Sequence, residues 1–396
     1  MADFEPPISI EVAGQQLTLF FNTETQIELM LGDIRSATQR VWLETYIFQS
    51  DRVGRLIASA LQERASAGVD VRVHYDAVGS LMAPSQLFAD LAAAGVKLHC
   101  FHSAWEGLRR FEFFKTYNRR NHRKLLVIDD RVAYFGGMNI VDHACETPGE
   151  SPKRSCLAIG WRDVHVRLLG SLQHEFAASF ELSWQRARRE DYQPIKTRVP
   201  LRTLLRRDDP AETQTEWLRF FDSGPGPRSD RSARVFTRLL NFARQRVTFS
   251  MAYFLPVGRV RRALFRCSKR GLHNRVVLPA LSDVPLVQRA TRYFYRVLLQ
   301  RKFEIYEHAA CMLHSKVLIV DDEYVVLGSS NFDVRSLWIN WEFFALIRSK
   351  RLAAALSKVI AREMPSSQRV TCSSWRSQSW WQRWLDRLAW SLRQWL

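Results

Sequence analysis

Two stretches of the chain carry side chains able to do chemistry, in the same order and at the same spacing. Residues 121–139 read NHRKLLVIDDRVAYFGGMN, and residues 313–331 read LHSKVLIVDDEYVVLGSSN. From His122, Lys124 follows at +2, Asp129 at +7, Gly136 at +14 and Asn139 at +17; from His314, Lys316, Asp321, Gly328 and Asn331 repeat every offset. Residues i and i+2 of a strand share a face, so each imidazole points the same way as the ammonium that follows it. The odd offset puts Asp129 and Asp321 on the other face. Their geometry predicts a cap or ion-pair partner rather than a group touching substrate.

A strand delivering His and Lys to one face, followed by a turn returning an Asn, makes a pocket rich in hydrogen-bond donors suited to phosphate oxygens. Two such strands meeting at a pseudo-twofold axis would surround one phosphate with two of each residue. The imidazoles can then divide the work, one attacking phosphorus and the other protonating the leaving oxygen. An unperturbed histidine pKa of about 6.5 makes both forms accessible near neutrality. Lysines and asparagines offset the charge on the equatorial oxygens. This chemistry calls for no metal and no cofactor, and the six scattered cysteines form no CxxC pair that would suggest zinc or a disulfide framework.

The elements that must position these groups are also written twice. Residues 41–48 (VWLETYIF) match 247–254 (VTFSMAYF) as strands that each follow an amphipathic helical pattern. Residues 56–76 parallel 262–279, and 91–101 parallel 298–308, each as helix then strand. Alternating helices and strands predict an α/β fold, and two similar halves predict mixed sheets flanked by helices about a pseudo-twofold axis. The expected organisation is a first half over 1–195, a linker over 196–224, a second half over 225–365, and an amphipathic tail over 366–396. The first half alone carries a basic, aromatic loop at 104–121 and an insert at 143–160.

The balance of 58 Lys+Arg against 40 Asp+Glu, net +18, points to a polyanionic partner, either nucleic acid or an anionic membrane surface. The tail favours the membrane. Residues 375–396 hold six of the 13 tryptophans. At about 100° per residue, Trp381, Trp384, Leu385, Leu388, Leu392 and Trp395 share one face, with Gln382, Arg383, Asp386 and Arg387 on the other; Trp390 falls on the polar side. The alternative is a helix docked on the protein's own core. No run of 18 apolar residues is present, and the acidic N-terminus lacks an apolar signal region. These features predict a cytoplasmic protein peripheral to the cell membrane.

HRKLLVID and HSKVLIVD both fit HxKxxxxD, and GGMN and GSSN fit the Gly-x-x-Asn element that follows it, so the chain resembles the phospholipase D superfamily from about residue 15 to 365. WLETYIF with Glu44, HYDAVGS with Asp76, MAYFLP with Tyr253, and the stretch 313–342 resemble bacterial cardiolipin synthases of the type without N-terminal membrane helices. The resemblance implies a catalytic set of His122, Lys124, Asp129, His314, Lys316 and Asp321. It further implies a covalent phosphatidyl-histidine formed on His122, with His314 as acid/base. Asn139, Asn331 and Ser329 are expected at the phosphate. Asp163, Glu342 and Glu44 are expected behind the imidazoles, with Asp163 and Glu342 at similar places after the two Gly-Asn turns. Three alternatives remain: a hydrolase using water, a nuclease of the same superfamily, and a non-catalytic scaffold. Two intact motifs weigh against the scaffold, and the Trp-rich tail weighs against the nuclease. The expected partner is a phospholipid; the sequence assigns no oligomeric state.

Overall fold

The structure, a computed structural model, describes residues 5–102, 118–142, 160–189, 205, 215–226, 229–377 and 379–393. In the first half a hairpin of β1 (Ile8–Val12) and β2 (Gln15–Phe20) is followed by three helix–strand units. These are α1 (Thr23–Arg35) with β3 (Arg40–Thr45), α2 (Arg52–Ser66) with β4 (Asp70–Asp76), and α3 (Ser85–Ala93) with β5 (Lys97–Phe101). The first motif supplies β6 (Leu125–Ile128) and β7 (Val132–Gly136). Next come β8 (Trp161–Arg162), β9 (His165–Leu169) and α4 (Gln173–Arg189).

The second half repeats the plan with β10 (Trp217–Ser223), α5 (Arg231–Phe242), β11 (Arg246–Met251), α6 (Gly258–Lys269), β12 (His273–Pro279), α7 (Pro285–Gln300) and β13 (Glu304–His308). Its motif supplies β14 (Met312–Leu313), β15 (Lys316–Val320) and β16 (Tyr324–Gly328). Then follow a π turn (Arg335–Ile339), β17 (Glu342–Arg348), α8 (Lys350–Glu363), β18 (Ser367–Val370), α9 (Cys372–Arg376) and α10 (Trp380–Ser391).

The first sheet runs β1-β2-β9-β7-β6-β3-β4-β5 and the second β10-β17-β16-β15-β11-β12-β13-β18. Apart from the edge strands β1 and β18, the orders correspond strand for strand, and the pairing directions agree: β3–β4 and β11–β12 are parallel, β3–β6 and β11–β15 antiparallel. The expected two-halved α/β architecture is therefore present.

The two sheets share a core. Val127, Phe135, Phe176 and Phe180 from the first half meet Phe220, Ile319, Phe343 and Leu352 from the second in one buried cluster. The outer faces are covered by α1–α3 on the first sheet and α5–α7 on the second. Central strands buried on both faces cannot alternate apolar with polar residues, which is why the motif strands read as near-continuous apolar runs. On α5 the spacing of Val235, Phe236, Leu239 and Leu240 supplies the matching apolar stripe.

Two boundaries differ from expectation. The end of the predicted linker, Trp217–Ser223, is β10, paired antiparallel with β17 along its whole length. The flanking polar residues hid a strand whose partner lies more than a hundred residues away. The predicted tail begins with β18, an edge strand against β13. The loop at 104–121 and the insert at 143–160 lie largely outside the described residues, as does Trp395.

Helix α10 packs on α7 through its less apolar side. Trp390 stacks on Phe294 with centroids 5.2 Å apart, and the Asp386 carboxylate lies 3.5 Å from Arg289. The residue that breaks the amphipathic pattern is thus the one that docks the helix. Trp380, Trp381, Trp384, Leu388 and Leu392 stay exposed. Among the described residues no helix is long and apolar enough to cross a membrane.

Candidate active site

Neither histidine sits inside a regular strand; each is held by the opposite half. Asn121 forms a parallel bridge with Trp341, and the His122 N–H donates to the Trp341 carbonyl at 3.0 Å. Symmetrically, β14 pairs with β8, and the His314 N–H donates to the Arg162 carbonyl at 2.7 Å. Trp341 and Arg162 directly precede the two carboxylates that follow the Gly-Asn turns. Each imidazole is consequently matched with a carboxylate from the other half. His122 Nδ1 lies 3.1 Å from Glu342 Oε2, and His314 Nδ1 lies 2.7 Å from Asp163 Oδ2. Sequence placed Asp163 and Glu342 near the site without indicating that the pairs cross.

The lysines reach back to the main-chain carbonyls of their own histidines. Lys124 Nζ donates to the His122 carbonyl at 2.7 Å, and Lys316 Nζ donates to the His314 carbonyl. Lys316 also donates to Asp163 at 3.0 Å. Tyr46 stands edge-on to His122 at 5.2 Å, and Tyr253 edge-on to His314 at 6.1 Å, its hydroxyl donating to Asp283 at 2.7 Å. Asp283 was not singled out from sequence; it lies in a polar loop before α7 with no motif around it.

The motif aspartates serve the turns at the far ends of their strands. Asp129 accepts from the backbone N–H groups of Thr38, Gln39 and Arg40 at 2.9–3.1 Å. Asp321 accepts from those of Arg244, Gln245 and Arg246. Each carboxylate ties the end of the motif strand to the start of its neighbour, so its inclusion in the catalytic set is corrected to a structural post.

Ser329 also departs from expectation. Its hydroxyl donates to Glu342 and accepts from the Phe343 N–H at 3.0 Å, so it is committed to holding the carboxylate rather than to phosphate. At the equivalent position a Cβ on Gly137 would lie 2.1 Å from Asp163 Oδ1. One half thus uses a short acid beside an empty position, the other a longer acid beside a hydroxyl. Gly136 and Gly328 are obligatory. At φ of +152° and +155°, a Cβ on either would come within 2.5 Å of the next strand's backbone. Asn139 accepts from the Ile47 N–H at 3.2 Å, and Asn331 Oδ1 is buried without a hydrogen-bond partner among the described residues.

Glu44 supports the main chain beside His122 rather than the imidazole. It accepts from Asn121 Nδ2 at 2.7 Å and from Ser183 at 2.5 Å, and pairs with the fully buried Arg123 at 3.2 Å. Arg123 also meets Asp222 of β10 at 2.7 Å. In the second half the corresponding positions are Ser250 and Ser315, whose hydroxyls meet at 2.6 Å. An ion pair in one half is replaced by a hydroxyl pair in the other.

Burial dominates the electrostatics. It holds His122 well below its usual pKa, helped by Lys124, Lys316 and His314, so His122 belongs to one charge cluster with the second motif. Burial and Lys316 lower His314 too, with Asp163 pulling the other way. Burial would raise Asp163, but Lys316 and His314 override it and keep the carboxyl ionised well below its ordinary range. Glu342 is pushed up to about 8 by burial, against the pull of Lys124 and Ser329. Burial brings Lys124 down to about 7. Among the described residues no group of three or more His, Cys, Asp or Glu is arranged to hold a metal ion.

Two imidazoles, each backed by a carboxylate and flanked by an ammonium in a buried cluster, have the chemistry that in-line displacement at phosphorus needs. A family model described as "Cardiolipin synthase, PLD-like domain" matches residues 30–152 and again residues 236–364, and the chain belongs to that family. It is 29% identical over 381 residues to a cardiolipin synthase of Halalkalibacterium halodurans, spanning 96% of this chain and 71% of that protein. It is 28% identical over 358 residues to the major cardiolipin synthase ClsA of Bacillus subtilis, spanning 90% and 70%. The fold is similar to the crystal structure of phosphatidylserine synthase from Haemophilus influenzae, with TM-score 0.71 and 11% identity over 99% of this chain and 97% of that one.

Proposed function

We propose that the protein is a phosphatidyltransferase that makes cardiolipin or a related phospholipid by exchanging one alcohol for another on a phosphodiester. The crossed His–carboxylate pairs carry this reading, because they set two imidazoles with different partners in one charge cluster, where a single phosphate would meet both. Burial with Lys124, Lys316 and His314 holds His122 neutral, and burial pushes its Glu342 partner up to about 8. A neutral imidazole is the nucleophilic form. His314 faces an ionised Asp163 at 2.7 Å, which stabilises imidazolium and suits the residue that must carry a proton.

In the first step His122 Nε2 bonds to phosphorus while the P–O bond to the leaving alcohol breaks and His314 donates its proton to that oxygen. In the second, His314 takes the proton of the acceptor hydroxyl, whose oxygen bonds to phosphorus as the P–N bond breaks. Lys124, Lys316, Asn139 and Asn331 are assigned to the phosphoryl oxygens. With water as acceptor the same steps give hydrolysis.

The lipid substrate implies an enzyme working at a bilayer. We assign the exposed Trp and Leu face of α10 to the membrane interface, where indoles are favoured and arginines face anionic headgroups. The test is incubation with phosphatidylglycerol in detergent plus a chelator, with and without excess glycerol. Cardiolipin that forms, and falls when glycerol is added, is the expected outcome. Phosphatidic acid alone would replace the transferase with a hydrolase.

A further inference from the structure

A groove between α7 and the α9–α10 pair lies outside the catalytic cluster and is lined by Arg296 of α7, Arg376 of α9, and Arg383 and Arg387 of α10. All four are exposed, and none makes a hydrogen bond or ion pair with an acidic side chain among the described residues. The one acid lining the groove, Asp386, faces Arg289 at 3.5 Å. Arg383 and Arg387 are one helical turn apart, a spacing at which like charges repel. Among the described residues, four arginines from three elements therefore gather here against a single carboxylate that is itself paired with Arg289.

We propose that this groove binds the phosphate headgroup of an anionic phospholipid in the bilayer, separately from the catalytic centre; the inference rests on the membrane reading of α10. Guanidinium forks match phosphate oxygens in pairs. Trp380 and Trp384 line the same groove, and indoles settle at headgroup depth. Beside them, Leu388 of α10 and Leu392 at its C-terminal end are exposed with Trp381. The order from groove to exposed face is cationic, then indole, then aliphatic, which is the order of chemistry met on entering a leaflet. Nucleic acid would use the arginines and indoles but leave the leucines without a role.

The test compares the full chain with R383Q/R387Q, W381S/W384S and a control, K350Q/K358Q, whose exposed lysines lie on α8. Each is sedimented with phosphatidylcholine vesicles and with vesicles also containing phosphatidylglycerol. An arginine beside an anionic surface contributes about fivefold in affinity, so R383Q/R387Q should lose about 25-fold on the mixed vesicles. It should lose nothing on pure phosphatidylcholine and keep turnover of detergent-dispersed lipid, while the control keeps all three. An equal loss in the control overturns the site in favour of diffuse charge. A loss in W381S/W384S with none in R383Q/R387Q overturns the site and leaves the membrane reading standing; no loss in either overturns both. Saturable quenching of tryptophan fluorescence by monodisperse short-chain phosphatidylglycerol, absent in R383Q/R387Q, supports the site. The same quenching by inorganic phosphate, or by a single-stranded oligonucleotide, overturns the lipid assignment.

Discussion

Replacing Asp163 with Asn probes the crossed pairing most directly. The carboxylate accepts from His314 Nδ1 at 2.7 Å and from Lys316 at 3.0 Å, and the amide keeps its size while removing its charge. A hydrogen bond to a charged group contributes about 3 kcal/mol at the upper end, about 150-fold in rate if it is realised only when His314 carries its proton. An amide can also present a donor to Nδ1 and turn the imidazole to the wrong tautomer; the comparable change in a serine-protease triad costs about 10⁴. We therefore expect D163N to lower kcat by about 10²–10⁴-fold with KM changed little. The protein should still fold, because Lys316, its pKa already lowered by burial, can shed its proton instead of standing as a lone buried charge. The assay is the initial rate of phosphatidylglycerol turnover in detergent, with circular dichroism as a fold check. Spectra of ¹⁵N-histidine-labelled protein supply a second readout, in which D163N should move the ring nitrogens of His314, in the other half, and leave those of His122. A folded D163N within tenfold of the parent rate, or a shift confined to His122, would refute the pairing.

Glu342 gives a pH test. Its folded pKa of about 8 lies above the ordinary glutamate value of 4.5, so the folded protein holds a proton the unfolded chain has lost, and stability falls as pH rises between these values. E342Q removes that slope; its melting temperature relative to the parent should rise by several degrees from pH 5 to pH 8.5, read by differential scanning fluorimetry, and a constant difference would contradict the buried acid. G328A should destabilise by at least about 2 kcal/mol in denaturant titration, because its Cβ would lie 2.5 Å from Phe343 O in a backbone region closed to side chains. R123M strands Glu44 and Asp222 together in the core, so it should cost about 3–5 kcal/mol of stability. S315A, at the matching place in the second half, removes one partner of a hydroxyl pair and should cost about 1–2 kcal/mol; similar losses in both would contradict the assigned ion pair.

The repeat was legible because chemistry and fold leave their marks at fixed intervals. The offsets of His, Lys, Asp, Gly and Asn recur in both halves, and the helix–strand units around them align. From those marks the two-halved α/β fold and the residues of the cluster could be read. What sequence withheld were relations across long distances. The bond from His122 to Glu342 spans 220 residues, and nothing local tells whether an imidazole takes its carboxylate from its own half or the other. β10 was hidden for the same reason: a strand pairing only with β17 has no partner near it in sequence. Ser329 misled because a hydroxyl beside an expected phosphate resembles a ligand until the carboxylate it holds is located. Asp129 and Asp321 show the converse, since their odd offset already argued for the structural post they occupy.

The crossing of the two dyads constrains how such a chain can change. A half standing alone would hold an imidazole without its carboxylate and a carboxylate without its imidazole, so only two copies face to face would be chemically complete. In a pair of identical copies every substitution lands twice, and the two ends of the reaction stay alike. Joined in one chain, each position can drift by itself. Here that freedom has been used at matched places: Asp163 beside Gly137 against Glu342 beside Ser329, and Glu44 with Arg123 against Ser250 with Ser315. Symmetry supplied the scaffold, and its local loss leaves a carboxyl of lowered pKa behind one histidine and a carboxyl of raised pKa behind the other.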